Sequence, residues 1–348
     1  MGLALPTARV PVVEEHLDEL ADLARSTGME VVGQGLQSRT APDPRTFIGR
    51  GKAGDIARAV AELGADVVIF DDDLTPNQVK NLEELIPCPV IDRSGLILDL
   101  FARQARTREA RTQVELAQVE YQLPRLTRRW THLSRQVGGI GARGGEGETQ
   151  LEADRRMLRT RIKQLKRELA TIERTRALHR QSRAHQPIVA LVGYTNAGKS
   201  TLFNRLTRAG VLAEDKLFAT LDAKVRQGPL GGRDTAIFVD TVGFIRKLPH
   251  DLVASFRSTL EEMLEADLLL HVVDRSHPHW HDQMEVGDRV LEDLGVDMAR
   301  VIHVFNKADR WDDAGAGPVL AVSALTGAGV EALLAQVRSR LAPRRIGR

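Results

Sequence analysis

The sequence predicts an α/β chain: a P-loop domain preceded by a small α/β domain and an antiparallel helical-hairpin arm. Three observations predict it. A glycine loop at residues 193–201 stands between an apolar run and a run with helical spacing. Strand-like and helix-like segments alternate over residues 1–100. Between these regions, two long helical patterns flank a basic, glycine-rich stretch.

Within residues 1–100, a helical pattern begins at Pro11-Val12-Val13 and continues through Leu23, and Glu30-Val31-Val32 reads as a strand. Ile56, Ala59, Val60 and Leu63 share one helix face, which Gly64 ends. Asp66 to Phe70 reads as a strand that meets three aspartates, Asp71, Asp72 and Asp73, expected to form a solvated loop. Thr75 then has the character of an N-cap with Pro76 at the first helical position, and the helix should run to Leu85. Pro89-Val90-Ile91-Asp92 is the next strand.

Residues 101–184 form the expected hairpin. One helix is predicted from Leu96 to Leu123, where Pro124 stops it. A second begins at Leu151, with Leu158, Ile162, Leu165, Leu169 and Ile172 spaced alternately four and three as in a coiled-coil seam. The tip, residues 124–150, carries Arg125, Arg128, Arg129, Trp130, Arg135 and a Gly-rich run. Arginine beside tryptophan suits phosphate contact and base stacking.

Residues 185–348 form the P-loop domain. Gly193-Tyr194-Thr195-Asn196-Ala197-Gly198-Lys199-Ser200-Thr201 fits Gly-x-x-x-x-Gly-Lys-Ser/Thr, in the strand–loop–helix context that lets backbone N–H groups wrap phosphates. Lys199 is expected to reach the β- and γ-phosphates, and the Ser200 hydroxyl to bind Mg²⁺. Asp240-Thr241-Val242-Gly243 supplies an acidic residue near Mg²⁺, acting through water, and a glycine whose N–H approaches the γ-phosphate. Upstream, Thr220 stands where a hydroxyl would close over the metal. Lys199, Thr220 and Gly243 are therefore the candidate catalytic residues, and Ser200, Thr220 and Asp240 the candidate metal ligands.

The base is read downstream. Val301-Ile302-His303-Val304-Phe305 ends in Asn306-Lys307-Ala308-Asp309, an Asn-Lys-x-Asp element. An ionised carboxylate only accepts hydrogen bonds, so Asp309 matches guanine N1–H and N2–H₂ and leaves adenine unmatched. Ser323 and Ala324 resemble the element whose backbone contacts guanine O6. These residues narrow the substrate to GTP and the domain to a P-loop GTPase. Phe244 follows Gly243 where Ras-like enzymes place a glutamine that orients the attacking water, so another group or a partner must supply that part.

Composition bounds the rest. The chain has 348 residues, 42% of them hydrophobic, enough for two or three domains with real cores. No apolar stretch reaches transmembrane length, no signal-peptide pattern opens the chain, and Cys88 is the one cysteine, so a cytoplasmic protein without a disulfide framework is expected. His277, His279 and His281 alternate in a segment read as a polar loop rather than a metal site. The net charge of +2 conceals an asymmetry. Between Arg103 and Arg183, 20 Lys and Arg stand against 9 Asp and Glu, an excess of +11, while the remainder sums to −9. A basic middle segment suggests a polyanionic partner.

The chain resembles the HflX family of translation-associated GTPases over nearly its whole length. The resemblance rests on Phe47-Ile48-Gly49-Arg50-Gly51-Lys52, on the stretch from Val90-Ile91-Asp92-Arg93-Ser94-Gly95 to Asp99, on Thr107-Arg108-Glu109-Ala110 through Gln118, and on Gly139-Ile140-Gly141 with Gly147-Glu148-Thr149-Gln150-Leu151-Glu152. The phosphate loop, Leu217 through Asp222, and Asp240 through Phe244 also match the family's style. The resemblance implies a GTPase coupled to the large ribosomal subunit, with the arm tip reaching ribosomal RNA and some members splitting stalled ribosomes; a monomer is expected. Similar GTPases use an asparagine at the position of Asn196 to hold K⁺ in place of an arginine finger. Three departures stand out. Ala223-Lys224 replaces the usual Pro-Thr, the tip run Gly144-Gly145-Glu146-Gly147 is one residue longer than usual, and the extra C-terminal domain of some relatives is not expected. Two other readings stay open at this point: a GTPase of ribosome assembly or tRNA-related work, and an RNA-binding scaffold that senses GTP without hydrolysing it.

Overall fold

A computed structural model describes residues 1–6, 10–126, 150–181, 186–208, 217–218, 220–221, 223–232, 234–247, 263–311 and 320–345. They divide into two compact units, Met1–Arg103 with Arg111–Thr171, and Gln104–Ala110 with Ile172–Arg348.

In the first unit, β1 (Gly2–Ala4) pairs in parallel with β2 (Leu36–Ser38), and α1 (Val10–Ser26) buries Val13, Leu17, Leu20 and Leu23. The predicted strand at Glu30-Val31-Val32 does not form, and Val32 is left 46% exposed. Gly33 and Gly35 follow it, and glycine weakens a strand. The pairing therefore begins at Leu36. α2 (Arg50–Leu63) ends on Gly64 in the left-handed conformation. β3 (Val68–Phe70) pairs in parallel with β4 (Val90–Asp92), and α3 (Pro76–Leu85) lies between them in sequence. Its N-cap is the predicted Thr75, which forms a reciprocal capping box with Gln78.

Asp71 corrects the expectation of a solvated aspartate loop. It is 1% exposed and accepts from Arg93 Nη1 at 2.7 Å. The two strand ends bring carboxylates together, and buried guanidinium groups balance them. Asp92 likewise accepts from Arg125 Nη2 at 2.9 Å, and from the Tyr121 hydroxyl at 2.7 Å.

The single helix expected from Leu96 to Leu123 is two. α4 (Arg93–Gln104) and α5 (Arg108–Gln122) are separated by a break at which Thr107 Oγ1 accepts from the Ala110 N–H at 3.1 Å. A side-chain cap of this kind starts a new helix. α6 (Gln150–Gln181) is the second arm helix. Its Leu158, Ile162, Leu165 and Leu169 pack with Leu116 and Val119 of α5. Most of the basic tip, residues 127–149, lies outside the described residues.

The second unit is built on a five-stranded sheet in the order β6-β7-β5-β8-β9. β5 (Ile188–Val192), β7 (Asp234–Asp240), β8 (Leu268–Asp274) and β9 (Val301–Asn306) are parallel, and β6 (Lys224–Gly231) is the antiparallel edge. α7 (Lys199–Thr207) and α9 (Val330–Arg345) contribute to the apolar cluster on one face, and α8 (Trp280–Asp293) to that on the other. Both faces covered, with nearly continuous apolar strands such as Ile188–Val192, is the pattern of a buried parallel sheet. Ligands in such sheets bind beyond the carboxyl ends of the strands. Here those ends carry residues 193–198, Asp240 and Asn306. Among the described residues, no helix is long and apolar enough to cross a membrane.

Candidate functional site

The phosphate loop leaves β5 and enters α7 with Lys199 as the first helical residue. Lys199 is 6% exposed, and its Nζ donates to the carbonyls of Gly193 at 3.0 Å and Tyr194 at 2.7 Å. Burial lowers its pKa to about 8, against the opposing pull of Asp240. The ammonium is thus aimed inside the loop and under-solvated, ready for an anion. Gly198, at φ +90°, faces Asn306, whose Nδ2 would lie 2.2 Å from any Cβ placed there. Gly243 is equally confined, because a Cβ would come within 2.7 Å of Thr195 Cα and 2.9 Å of Lys199 Nζ.

Three predicted metal-side residues converge. Ser200 Oγ donates to Asp240 Oδ2 at 2.7 Å, Thr220 Oγ1 donates to the same oxygen at 3.1 Å, and the two hydroxyls lie 2.8 Å apart. Asp240 Oδ1 is buried and has no hydrogen-bond partner among the described residues. Burial raises the Asp240 pKa, with Ser200 and Lys199 opposing it. An orphaned buried oxygen beside two hydroxyls is a donor set of the kind a hard divalent cation takes, so these residues fit Mg²⁺.

The base side is equally ordered. Asn306 Nδ2 donates to the carbonyl of Ala197 at 2.9 Å, and its Oδ1 accepts from the Ala324 N–H at 3.0 Å. Ser323 donates its hydroxyl to Asp309 Oδ1, which helps hold the Asp309 carboxyl below its usual range. Lys307, at φ +60°, pairs with Asp274 at 2.7 Å.

The structure therefore places the predicted residues in distinct positions. Thr195, Asn196, Gly198, Lys199, Ser200 and Thr201 line one pocket together with Thr220, Gly243, Asn306, Lys307, Asp309 and Ala324. Gly193, Tyr194 and Ala197 support it from behind through their carbonyls, and Ser323 acts through Asp309. Phe218, Thr241, Arg310 and Leu325 also line the pocket, and sequence reasoning did not single them out. Phe218 takes φ +56° and donates its N–H to Thr195 Oγ1 at 2.7 Å, a backbone state that no local pattern announces. Gln104 Nε2 donates to the Leu217 carbonyl at 3.2 Å, anchoring the same segment.

Phe244 is held against the phosphate loop by its backbone. It is 3% exposed and belongs to the apolar cluster beneath the sheet. Its N–H donates to Gly193 O at 2.9 Å and its carbonyl accepts from the Thr195 N–H at 2.8 Å, so the backbone is laced to the phosphate loop. The side chain can neither donate to nor accept from a water.

Comparison with known proteins points to a GTPase over most of the chain. Family profiles described as GTP-binding GTPase N-terminal, GTP-binding GTPase middle region and 50S ribosome-binding GTPase match residues 14–102, 104–183 and 188–307. GTPase HflX of Magnetococcus marinus is 52% identical over 331 residues, covering 92% of this chain and 77% of that one. The chain belongs to the GTPase HflX family. GTPase HflX of Escherichia coli K12 is also 52% identical, over 301 residues, covering 86% of this chain and 70% of that one. Among solved structures, the SsGBP–GDP complex has a TM-score of 0.50 at 23% identity, covers 97% of each chain and shares the fold. The protein is a GTPase, and GTP is its substrate.

Proposed function

We propose that this GTPase binds the large ribosomal subunit and couples GTP binding and hydrolysis to ribosome association, with splitting or rescue of stalled ribosomes as its outcome. The observation that carries the reading is Phe244, buried at 3% where a water-orienting side chain would serve hydrolysis. A site with its phosphate and metal groups in place but no such side chain hydrolyses slowly alone and waits for a partner. The 50S ribosome-binding description of the matching family profile supports the choice of partner, as does the basic excess between Arg103 and Arg183.

In this reading Lys199 holds the β- and γ-phosphates, and the Gly243 N–H contacts the γ-phosphate. Ser200, Thr220 and Asp240 would hold Mg²⁺, the last through water. Bound there, the ion supplies positive charge to the phosphate oxygens as negative charge develops on them. Asn306, Asp309 and the Ser323-Ala324 turn fix the guanine, with Lys307 beside it. Asn196, exposed in the pocket at φ +61°, is the proposed K⁺ ligand. The arm tip, residues 124–150, contacts ribosomal RNA. The protein acts in the cytoplasm as a monomer.

The test is GTP turnover with purified large subunits, with light scattering of whole ribosomes in parallel. Turnover should rise at least tenfold with subunits, and the rise should be lost when residues 127–149 are replaced by a short linker, which leaves the Arg125–Asp92 pair in place. Equal stimulation by unrelated RNA, or co-sedimentation with precursor particles or tRNA alone, would sink this reading. Equal rates in KCl and NaCl would remove the K⁺ assignment.

A further inference from the structure

Two histidines interrupt otherwise apolar strands in the GTPase unit. His271 lies in Leu-Leu-Leu-His-Val-Val-Asp of β8 and His303 in Val-Ile-His-Val-Phe-Asn of β9. The two are paired in register on adjacent strands, with ring centroids 5.1 Å apart. Asp288 of α8 meets both. Its Oδ1 lies 2.9 Å from His271 Nδ1 and 2.9 Å from His303 Nε2, and its Oδ2 lies 3.1 Å from the latter. One nitrogen from each ring and one carboxylate oxygen lie within 4.8 Å of one another.

We propose that His271, Asp288 and His303 form a binding site for a divalent transition-metal ion of the Zn²⁺ class, separate from the Mg²⁺ of the nucleotide. Two imidazoles and one carboxylate from three different elements are a ligand set that zinc takes with a fourth position open to water. Imidazole disfavours Mg²⁺ and Ca²⁺, which prefer oxygen. The open side is available, because the His303 and Asp288 side chains are 34% and 24% exposed while His271 is 1% exposed. The charge state is favourable. Burial holds His271 below the usual imidazole range, with Asp288 opposing, so it is neutral near neutral pH. Burial works against ionisation of Asp288, but the hydrogen bonds from the two imidazoles outweigh it and keep that carboxyl ionised. A carboxylate cannot donate, so the facing ring nitrogens now carry the protons. An ion would take their lone pairs once those protons leave or move to the other ring nitrogens.

The position gives the ion a mechanical consequence. The His271 ring and the Val272 carbonyl lie directly behind Gly193, whose added Cβ would meet them at 3.2 Å and 2.2 Å. Gly287, one residue before Asp288, packs on the His271 ring, 2.5 Å from Nε2 by the same measure. A bound ion would therefore tie β8, β9 and α8 together at the back of the phosphate loop.

The experiment titrates the full-length, nucleotide-free protein with ZnCl₂ in excess Mg²⁺, and separately with CoCl₂ followed by visible absorption. Asp288→Asn and His303→Leu are compared with His279→Ala/His281→Ala, which removes the histidine that precedes α8 and one in its first turn. Both test residues are partly exposed, and circular dichroism checks that the variants fold. The expected result is one Zn²⁺ per chain, an intense four-coordinate Co²⁺ spectrum, and affinity at least tenfold weaker in Asp288→Asn and His303→Leu but unchanged in His279→Ala/His281→Ala. Zinc should also raise the melting temperature of the wild type and not of the two site variants. Absence of Zn²⁺ binding, a weak six-coordinate Co²⁺ spectrum, or equal affinity in the site variants would overturn the proposal and leave a hydrogen-bonded His–Asp–His cluster.

Discussion

Asn306 donates from Nδ2 to the carbonyl of Ala197 at 2.9 Å, tying the end of β9 to the phosphate loop 109 positions earlier in the chain. The same side chain accepts from the Ala324 N–H, so one buried amide joins three loops. Asn306→Ala would strand a carbonyl and an N–H together, at a cost of about 2–3 kcal/mol to the fold. Nucleotide affinity should fall by more than tenfold, because the proposed phosphate and base sites lose their common support. Thermal melting and equilibrium binding of a fluorescent GDP analogue measure the two effects. An unchanged affinity would show that the bracket is structural only.

Asp309 carries base selection on the proposed reading, and Ser323 fixes its orientation. Asp309→Asn replaces an acceptor with an amide that can also donate. Guanine then meets a donor where it needs an acceptor, whereas xanthine, with a carbonyl in place of the exocyclic amine, is matched. Affinity for GDP should fall by a hundredfold or more, and affinity for XDP should rise above that of the wild type. Competition binding with the two diphosphates decides it. Loss of GDP binding without any gain for XDP would mean that the carboxylate holds the loop rather than the base.

Tyr121 donates its hydroxyl to Asp92 at 2.7 Å in the first unit, under Arg125, whose guanidinium lies 3.7 Å from the ring centroid. Burial first, and then the negative charge of Asp92, push its phenol far above the usual tyrosine range. The folded pKa is raised, so the associated stability is fully present below the unfolded value of about 10 and is lost progressively as pH rises above it toward the raised folded value. In the native protein Tyr121 should not ionise at pH values where an ordinary tyrosine has, and the chain has only two tyrosines to resolve. Alkaline absorbance titration reads this directly. Tyr121→Phe should cost about 1 kcal/mol at neutral pH and flatten the loss of stability above pH ~10. Normal phenolate formation by Tyr121 in the folded chain would contradict it.

Much of this architecture was legible because it rests on local chemistry. Thr75 and Pro76 announce a helix start through capping groups adjacent in sequence, and α3 begins there. Gly198, Lys199 and Ser200 announce a phosphate loop for the same reason. The unread parts depend on contacts distant in the chain. Asp71 looks like a solvated loop residue until β4 delivers Arg93 to it, 22 positions later. The alternating His277, His279 and His281 draw the eye, yet the histidines that converge are His271 and His303. Their strands become neighbours only once the sheet forms. The break between α4 and α5 was missed because helical periodicity passes through Ala105-Arg106-Thr107, and the cap at Thr107 is a single hydroxyl.

The arm offers a test of which contact type holds two helices together. Leu165 of α6 is 1% exposed and packs with Leu116 and Val119 of α5. Beside it, Arg161 makes two hydrogen bonds to Glu115, at 2.6 Å and 2.8 Å, but these side chains are 41% and 30% exposed. Solvent screening limits such a pair to less than about 1 kcal/mol even with two-pronged geometry. Leu165→Ala removes buried methyl groups and leaves a cavity, at a cost of about 3 kcal/mol. Hydrogen exchange of α5 and α6 amides should therefore speed up by two orders of magnitude in Leu165→Ala and by less than about fivefold in Arg161→Ala. Exchange at the five-stranded sheet of the second unit provides the internal control. If the arginine variant proved the more damaging, the ion pair rather than the leucine seam would be what joins the two arm helices.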